Sequence, residues 1–258
     1  ADDIKSQSVA NILVDWVWAS GAHGIKGEIL MNKKLVVAID GPAGAGKSTI
    51  AKLVAEQLGY AYIDTGAMYR SVTWKFLQTK EAFNEQLISE LAEKMVIEFR
   101  PEAKVNRVFV DGVEVTEAIR KSEVTCNVSK VAAIGPVREA MVDQQRRMGE
   151  AGGVLMDGRD IGTVVFPNAD LKIFLTATVE ERARTRSKEL TEKGESIDLA
   201  KLQQEIAERD KQDSEREISP LRQAEDALLL DSSDMTIAQV AEFIIKLVQE
   251  KENVLCNN

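Results

Sequence analysis

The run Gly41-Pro42-Ala43-Gly44-Ala45-Gly46-Lys47-Ser48-Thr49 constrains this chain more than any other stretch. It matches G-x-x-x-x-G-K-S/T without departure. The preceding Leu35-Val36-Val37-Ala38-Ile39 is a continuous apolar, β-rich run, as expected of a strand buried on both faces. Apolar residues at helical spacing follow over 50–58 and stop at Gly59. Glycines let such a loop curl until successive backbone N–H groups point at phosphate oxygens. The helix beginning near Lys47 adds the positive end of its dipole. Lys47 is thereby expected to reach the β- and γ-phosphates of ATP, and Ser48 to offer its hydroxyl to Mg²⁺. Residues 41–49 are the expected ATP-binding set.

A chain of 258 residues suffices for one large α/β domain with a small inserted lobe. The net charge of −9 argues against a broad basic face for nucleic acid. Cys126 and Cys256 are too few for a disulfide framework or a Cys-rich zinc site, leaving two cytosolic thiols or a lone bridge. The single histidine, His23, lies in an N-terminal stretch of doubtful membership in the fold. Carboxylates, Lys, Arg, backbone amides and Mg²⁺ must therefore carry any chemistry. The apolar stretch 12–19 is broken by Asp15 and preceded by Asp2 and Asp3, which fits neither a secretory signal nor a membrane span. Residues 1–30 are expected to be a non-native or flexible extension, with a short native one as the alternative, and 31–258 the domain. A cytoplasmic location follows.

Further strands are expected at 60–63, 154–156, 171–175 and 227–230. Helices are expected at 67–78, 84–95, 122–133, 136–149 and 237–248, with a long charged region at 179–217 interrupted near Lys193-Gly194-Glu195. Five strands alternating with helices predict an open parallel sheet covered on both faces. Between 95 and 135 the pattern changes to short alternating segments, and Asp111-Gly112 is a strong hairpin signal. A small antiparallel lobe is expected there.

Three clusters look chemical. Asp64-Thr65-Gly66-Ala67-Met68-Tyr69-Arg70 stands where a strand hands over to a helix, the edge where ligands bind such sheets. Arg70 could clamp an anion there or face water. Asp157-Gly158-Arg159-Asp160-Ile161-Gly162-Thr163 follows the next strand; Asp157 could assist Mg²⁺, mainly through water, or the stretch could be a tight turn. Arg209, Asp213 and Arg216 share a helix face by spacing, as a site or as a solvated charge stripe. Arg182 and Arg186 share another beside Gly- and Lys-containing sequence, suited to a lid at roughly 184–198.

These motifs, with Asp40-Gly41-Pro42, Val131-Ala132-Ala133 before Val137-Arg138-Glu139, the continuation to Val164-Val165-Phe166-Pro167, and Glu208-Arg209-Asp210 with Asp213, resemble the bacterial cytidylate kinases from about 31 to 248. The resemblance implies a P-loop kinase fold with a nucleotide-binding insert and transfer of the ATP γ-phosphoryl group to CMP or dCMP. It implies that Thr65, Arg138 and Asp160 read the cytosine, and that Ser129, Arg209 and Asp213 hold the ribose. Arg70, Arg159 and Arg216 would hold the acceptor phosphate, and Lys47, Arg159, Arg182 and Arg186 would form the catalytic set. It also implies a monomer acting on small molecules, without nucleic acid or membrane. No Asn-Lys-x-Asp base-reading motif of a GTPase follows the loop. Another small-molecule kinase of this fold and a nucleotide-gated switch are the alternatives.

Overall fold

The computed structural model describes residues 34–102, 105–192 and 198–256. The expectations for 1–30, with His23, and for the break at Lys193-Gly194-Glu195 lie outside these residues. The main sheet has five parallel strands in the order β2 (Ala61–Asp64), β6 (Val154–Gly158), β1 (Val36–Asp40), β7 (Leu171–Thr176) and β8 (Leu228–Asp231). This is the expected α/β architecture.

Both faces of the sheet are covered, which explains the unbroken apolar run of β1. Val37 and Ile39 pack with Ile50 and Val54 of α1 (Lys47–Leu58) and with Val240 and Ile244 of α8 (Ile237–Cys256). Ala38 points the other way, into a layer shared with Met68 and Val72 of α2 (Thr65–Gln78) and Met141 of α5 (Gly135–Gly149). The two-residue period carries this alternation to the strand ends. Asp40 continues the Ala38 side, while Asp157 continues the Leu155 side, toward α1.

After α3 (Glu85–Lys94) the chain forms an antiparallel sheet of β3 (Ile97–Glu102), β4 (Val105–Val110) and β5 (Val113–Glu114), within the stretch where the pattern changed. Asp111 and Gly112 both take positive φ (50° and 79°), as a two-residue hairpin of matching twist requires. The Asp111 carboxylate accepts from Val96 N at 2.9 Å, which ties the turn to the residue before β3. Then come α4 (Ser122–Ala132), α5 and, beyond β7, α6 (Val179–Glu192) and α7 (Leu199–Glu215). Three details differ from expectation. Arg216, expected on one helix face with Arg209 and Asp213, follows the end of α7 in extended backbone. The last helix runs to Cys256, because 249–253 are polar residues that a solvent-facing helix accepts readily. Ile161–Val165 form a π-helical turn, in which Phe166 N donates to Ile161 O at 2.7 Å. No local pattern announces it, since its bonds depend on what its first amides meet.

Gly41 sits at φ 148°, and a Cβ there would lie 1.9 Å from the carbonyl oxygen of Leu175 on β7. Backbone cannot yield as a flexible side chain would. Gly41→Ala is expected to cost more than about 2 kcal/mol of stability. Urea unfolding checks this; a wild-type midpoint would contradict it.

Candidate active site

Parallel pairing sets Asp64 beside Asp157, and Asp40 beside Gly158, so three strand ends meet at one edge. The phosphate loop leaves β1 there. Gly44 and Gly46 hold φ of 77° and 76°, turning the loop into the first turn of α1. Lys47 is buried and its ammonium donates to Pro42 O at 2.7 Å. Burial, and next the Arg159 guanidinium, push that ammonium well below the ordinary lysine range.

Ser48 Oγ donates to Asp157 Oδ2 at 2.8 Å, and the Tyr62 hydroxyl to Oδ1 at 2.8 Å. Burial, and next Asp64, raise the Asp157 carboxyl above its usual range. One hydroxyl and one carboxylate are hard oxygen donors. Among the described residues no three His, Cys, Asp or Glu side chains gather as a metal cage. This donor set fits a Mg²⁺ ion that arrives on nucleotide phosphates and keeps several waters.

Thr65 opens α2, whose amide of Ala67 is capped by Asp64 Oδ1 at 2.9 Å. Its hydroxyl donates to Asp157 O at 2.7 Å and keeps its lone pairs available. Arg138 and Asp160 are buried and joined at 2.5 Å, while Arg216 Nη2 lies 3.5 Å from the other carboxylate oxygen. Arg138 also stacks 5.1 Å over the Tyr69 ring. Two residues assigned to one base thus hold each other. A carboxylate offers about four acceptor sites, so pairing leaves Asp160 room for another donor. The buried Arg138 Nε, Arg209 Nε and Arg216 Nη2 make no hydrogen bond within the protein. Buried donors of this kind call for a partner that the protein does not supply, water or a ligand.

Arg159 pairs with Asp213 at 2.8 Å. Burial pushes the Asp213 carboxyl up, but Arg159 and Arg209 more than offset it, so it falls below its usual range. Arg209 is lowered to about 10 by burial and by Arg159, the mark of a crowded positive field. Arg70, near Arg120, Arg186 and Arg159, donates to Thr125 Oγ1 at 2.8 Å, and Ser129 is half-buried on α4. Arg182 and Arg186, equivalent by spacing, part company. Arg186 is exposed, whereas buried Arg182 donates to Ala43 O at 2.8 Å and to Ala177 O at 3.0 Å, and pairs with Asp210 at 2.6 Å. Asp210 in turn accepts from Ala43 N at 3.3 Å.

Sequence reasoning passed over three side chains of this site: Asp40, Tyr62 and Asp210. Asp40 carried the same signal as Asp157, a carboxylate closing a buried strand. Asp210 stood within the motif Glu208-Arg209-Asp210 but was given no role, and Tyr62 gave no signal, because their partners are distant in sequence.

The family model "Cytidylate kinase" matches residues 37–250. The chain is 53% identical over 222 residues to the cytidylate kinase of Bacillus subtilis (strain 168), covering 86% of this chain and 99% of that one. It is 54% identical over 221 residues to the cytidylate kinase of Exiguobacterium sp. (strain ATCC BAA-1283 / AT1b), covering 85% and 99%. For the cytidylate kinase of Lysinibacillus sphaericus (strain C3-41) the identity is 53% over 222 residues, covering 86% and 99%.

An ammonium so depressed takes up a proton when a polyanion settles against it. ATP binding above neutral pH is therefore expected to consume protons. Isothermal titration in buffers of differing ionisation enthalpy measures this; buffer-independent heats would contradict it.

Proposed function

The chain belongs to the cytidylate kinase family, and from that premise we propose how its residues divide phosphoryl transfer among them. It is an enzyme, a nucleoside monophosphate kinase that phosphorylates CMP. In our reading ATP gives its γ-phosphoryl group to CMP or dCMP, yielding CDP or dCDP and ADP. The observation that carries the base assignment is the buried Arg138–Asp160–Arg216 group, with guanidinium nitrogens unsatisfied by protein. Cytosine's exocyclic amine is a donor that uracil lacks, and an ionised carboxylate can accept from it.

Residues 41–49 cradle the triphosphate, and Lys47 lies along its β- and γ-phosphates. Ser48 and Asp157 would hold Mg²⁺, which when bound spreads the phosphates' charge. Arg70 and Arg159 draw in the acceptor phosphate, while Ser129, Arg209 and Asp213 meet the ribose; Arg216, which the resemblance assigned to that phosphate, lies instead against Asp160 in the base group. An acceptor phosphate oxygen attacks the γ-phosphorus in line, the bond to the bridging oxygen breaks, and ADP leaves. That nucleophile is already anionic, so no general base is needed. The catalytic work is positioning and charge stabilisation by Lys47, Arg159 and Arg186, with Arg182 bracing the loop. Residues 95–135 form the acceptor-gripping insert, and 184–198 a lid that excludes water. We take the enzyme to act as a cytoplasmic monomer on small molecules; among the described residues no helix is long and apolar enough to cross a membrane.

An assay of ADP release with CMP, dCMP, UMP and AMP in parallel tests this reading. CMP and dCMP are expected to turn over best, and Lys47→Ala to lose ~10²-fold or more in turnover. ADP release indifferent to every acceptor would sink the reading in favour of a nucleotide switch. Asp160→Asn is expected to erode the ratio of kcat/KM for CMP over UMP. An unchanged ratio would remove Asp160 from base reading.

A further inference from the structure

We propose that Asp40 is a positioning residue for base selectivity, acting by holding the backbone that carries Asp160. This rests on reading Asp160 as the carboxylate that faces cytosine. Asp40 is the last residue of β1, directly before Gly41, and is 5% exposed. By strand alternation its side chain turns away from α1, toward the layer of α2 and α5. There its two oxygens accept from Ile161 N at 2.8 Å and Gly162 N at 2.7 Å. These are the opening amides of the π-helical turn Ile161–Val165, which a helix start leaves without internal partners. Both bonds are charge-assisted and buried, the setting in which such bonds are strongest.

Asp160 itself has neither helical nor extended backbone, at φ −145° and ψ 24°. No ladder holds it. Its carbonyl accepts from Val164 N at 2.9 Å and Val165 N at 3.2 Å, and Asp40 fastens the two residues that follow. On Gly162 an added Cβ would stand 3.1 Å from Lys172 Cδ and 3.3 Å from Asp40 Oδ2, so the turn is seated tightly on both. Burial pushes the Asp40 carboxyl up to about 6, against the pull of the two amides, which leaves it largely ionised at neutral pH. The residue that ends the donor strand thus sets the backbone of the base-facing carboxylate without touching substrate.

Asp40 also lies within electrostatic reach of Lys47, so its removal disturbs the ATP side as well. Donor-side damage, however, reduces turnover of CMP and UMP by one common factor, and their ratio cancels it. In Asp40→Asn the kcat/KM ratio for CMP over UMP is expected to fall by about tenfold, mostly through a raised KM for CMP, as sub-ångström misplacement of a contact group produces. A ratio equal to wild type, with both substrates impaired alike, overturns the proposal. Wild-type enzyme without a preference for CMP instead sinks the reading of Asp160. If Asp40→Asn does not fold, hydrogen exchange on wild-type protein decides. The amides of Ile161 and Gly162 are expected to be protected before CMP is added, and free exchange there overturns the proposal.

Discussion

Neighbouring strands of a parallel sheet end on the same side, and everything chemical in this molecule depends on that geometry. β1 lies between β6 and β7, with β2 beyond β6, so the phosphate loop, the Asp64 cap and the Asp157–Asp160 segment leave the sheet within one small region. The two-residue period then sorts their side chains. Asp157 faces α1 and meets Ser48, while Asp40 faces the opposite layer and meets the amides after Asp160. In the proposed reading one edge can serve two substrates, because Asp157 and Asp40 make their bonds on opposite faces of it.

The site is assembled around opposed charges. Arg138 with Asp160, Arg159 with Asp213 and Arg182 with Asp210 form three pairs at or near its floor. Withdrawing such groups from water costs more than most pairs return, so these pairs are poor evidence for stability. Their value is preorganisation. Each carboxylate holds a neighbouring guanidinium in place, and in the proposed reading two polyanions arriving together need cations already aimed. Burial first, and the Arg159 charge next, depress Lys47 and Arg209.

The fold was largely legible in the chain because its signals are local. An apolar run, glycines at fixed offsets, and Asp111-Gly112 between alternating segments each specify a conformation within a few residues. Helix spacing was a weaker guide. Arg182 and Arg186 stand one turn apart, yet one is sealed against Ala43 while the other stays exposed, since the face a helix buries depends on what lies beneath it. The π-helical turn was illegible for the same reason: its first amides are held by Asp40, 121 residues earlier for Ile161.

By itself, then, the sequence determined a phosphate-gripping loop between strand and helix, a parallel sheet with an antiparallel insert, and the set of carboxylates and arginines available for chemistry. Tertiary structure alone decided which of them meet. Tyr62 reaches Asp157, Asp210 reaches Ala43, and Asp40 reaches across to the turn beside Asp160. Bonds between residues near in sequence follow from backbone geometry that the local chain already specifies. Bonds across a hundred residues exist only once strand order and packing have closed the distance.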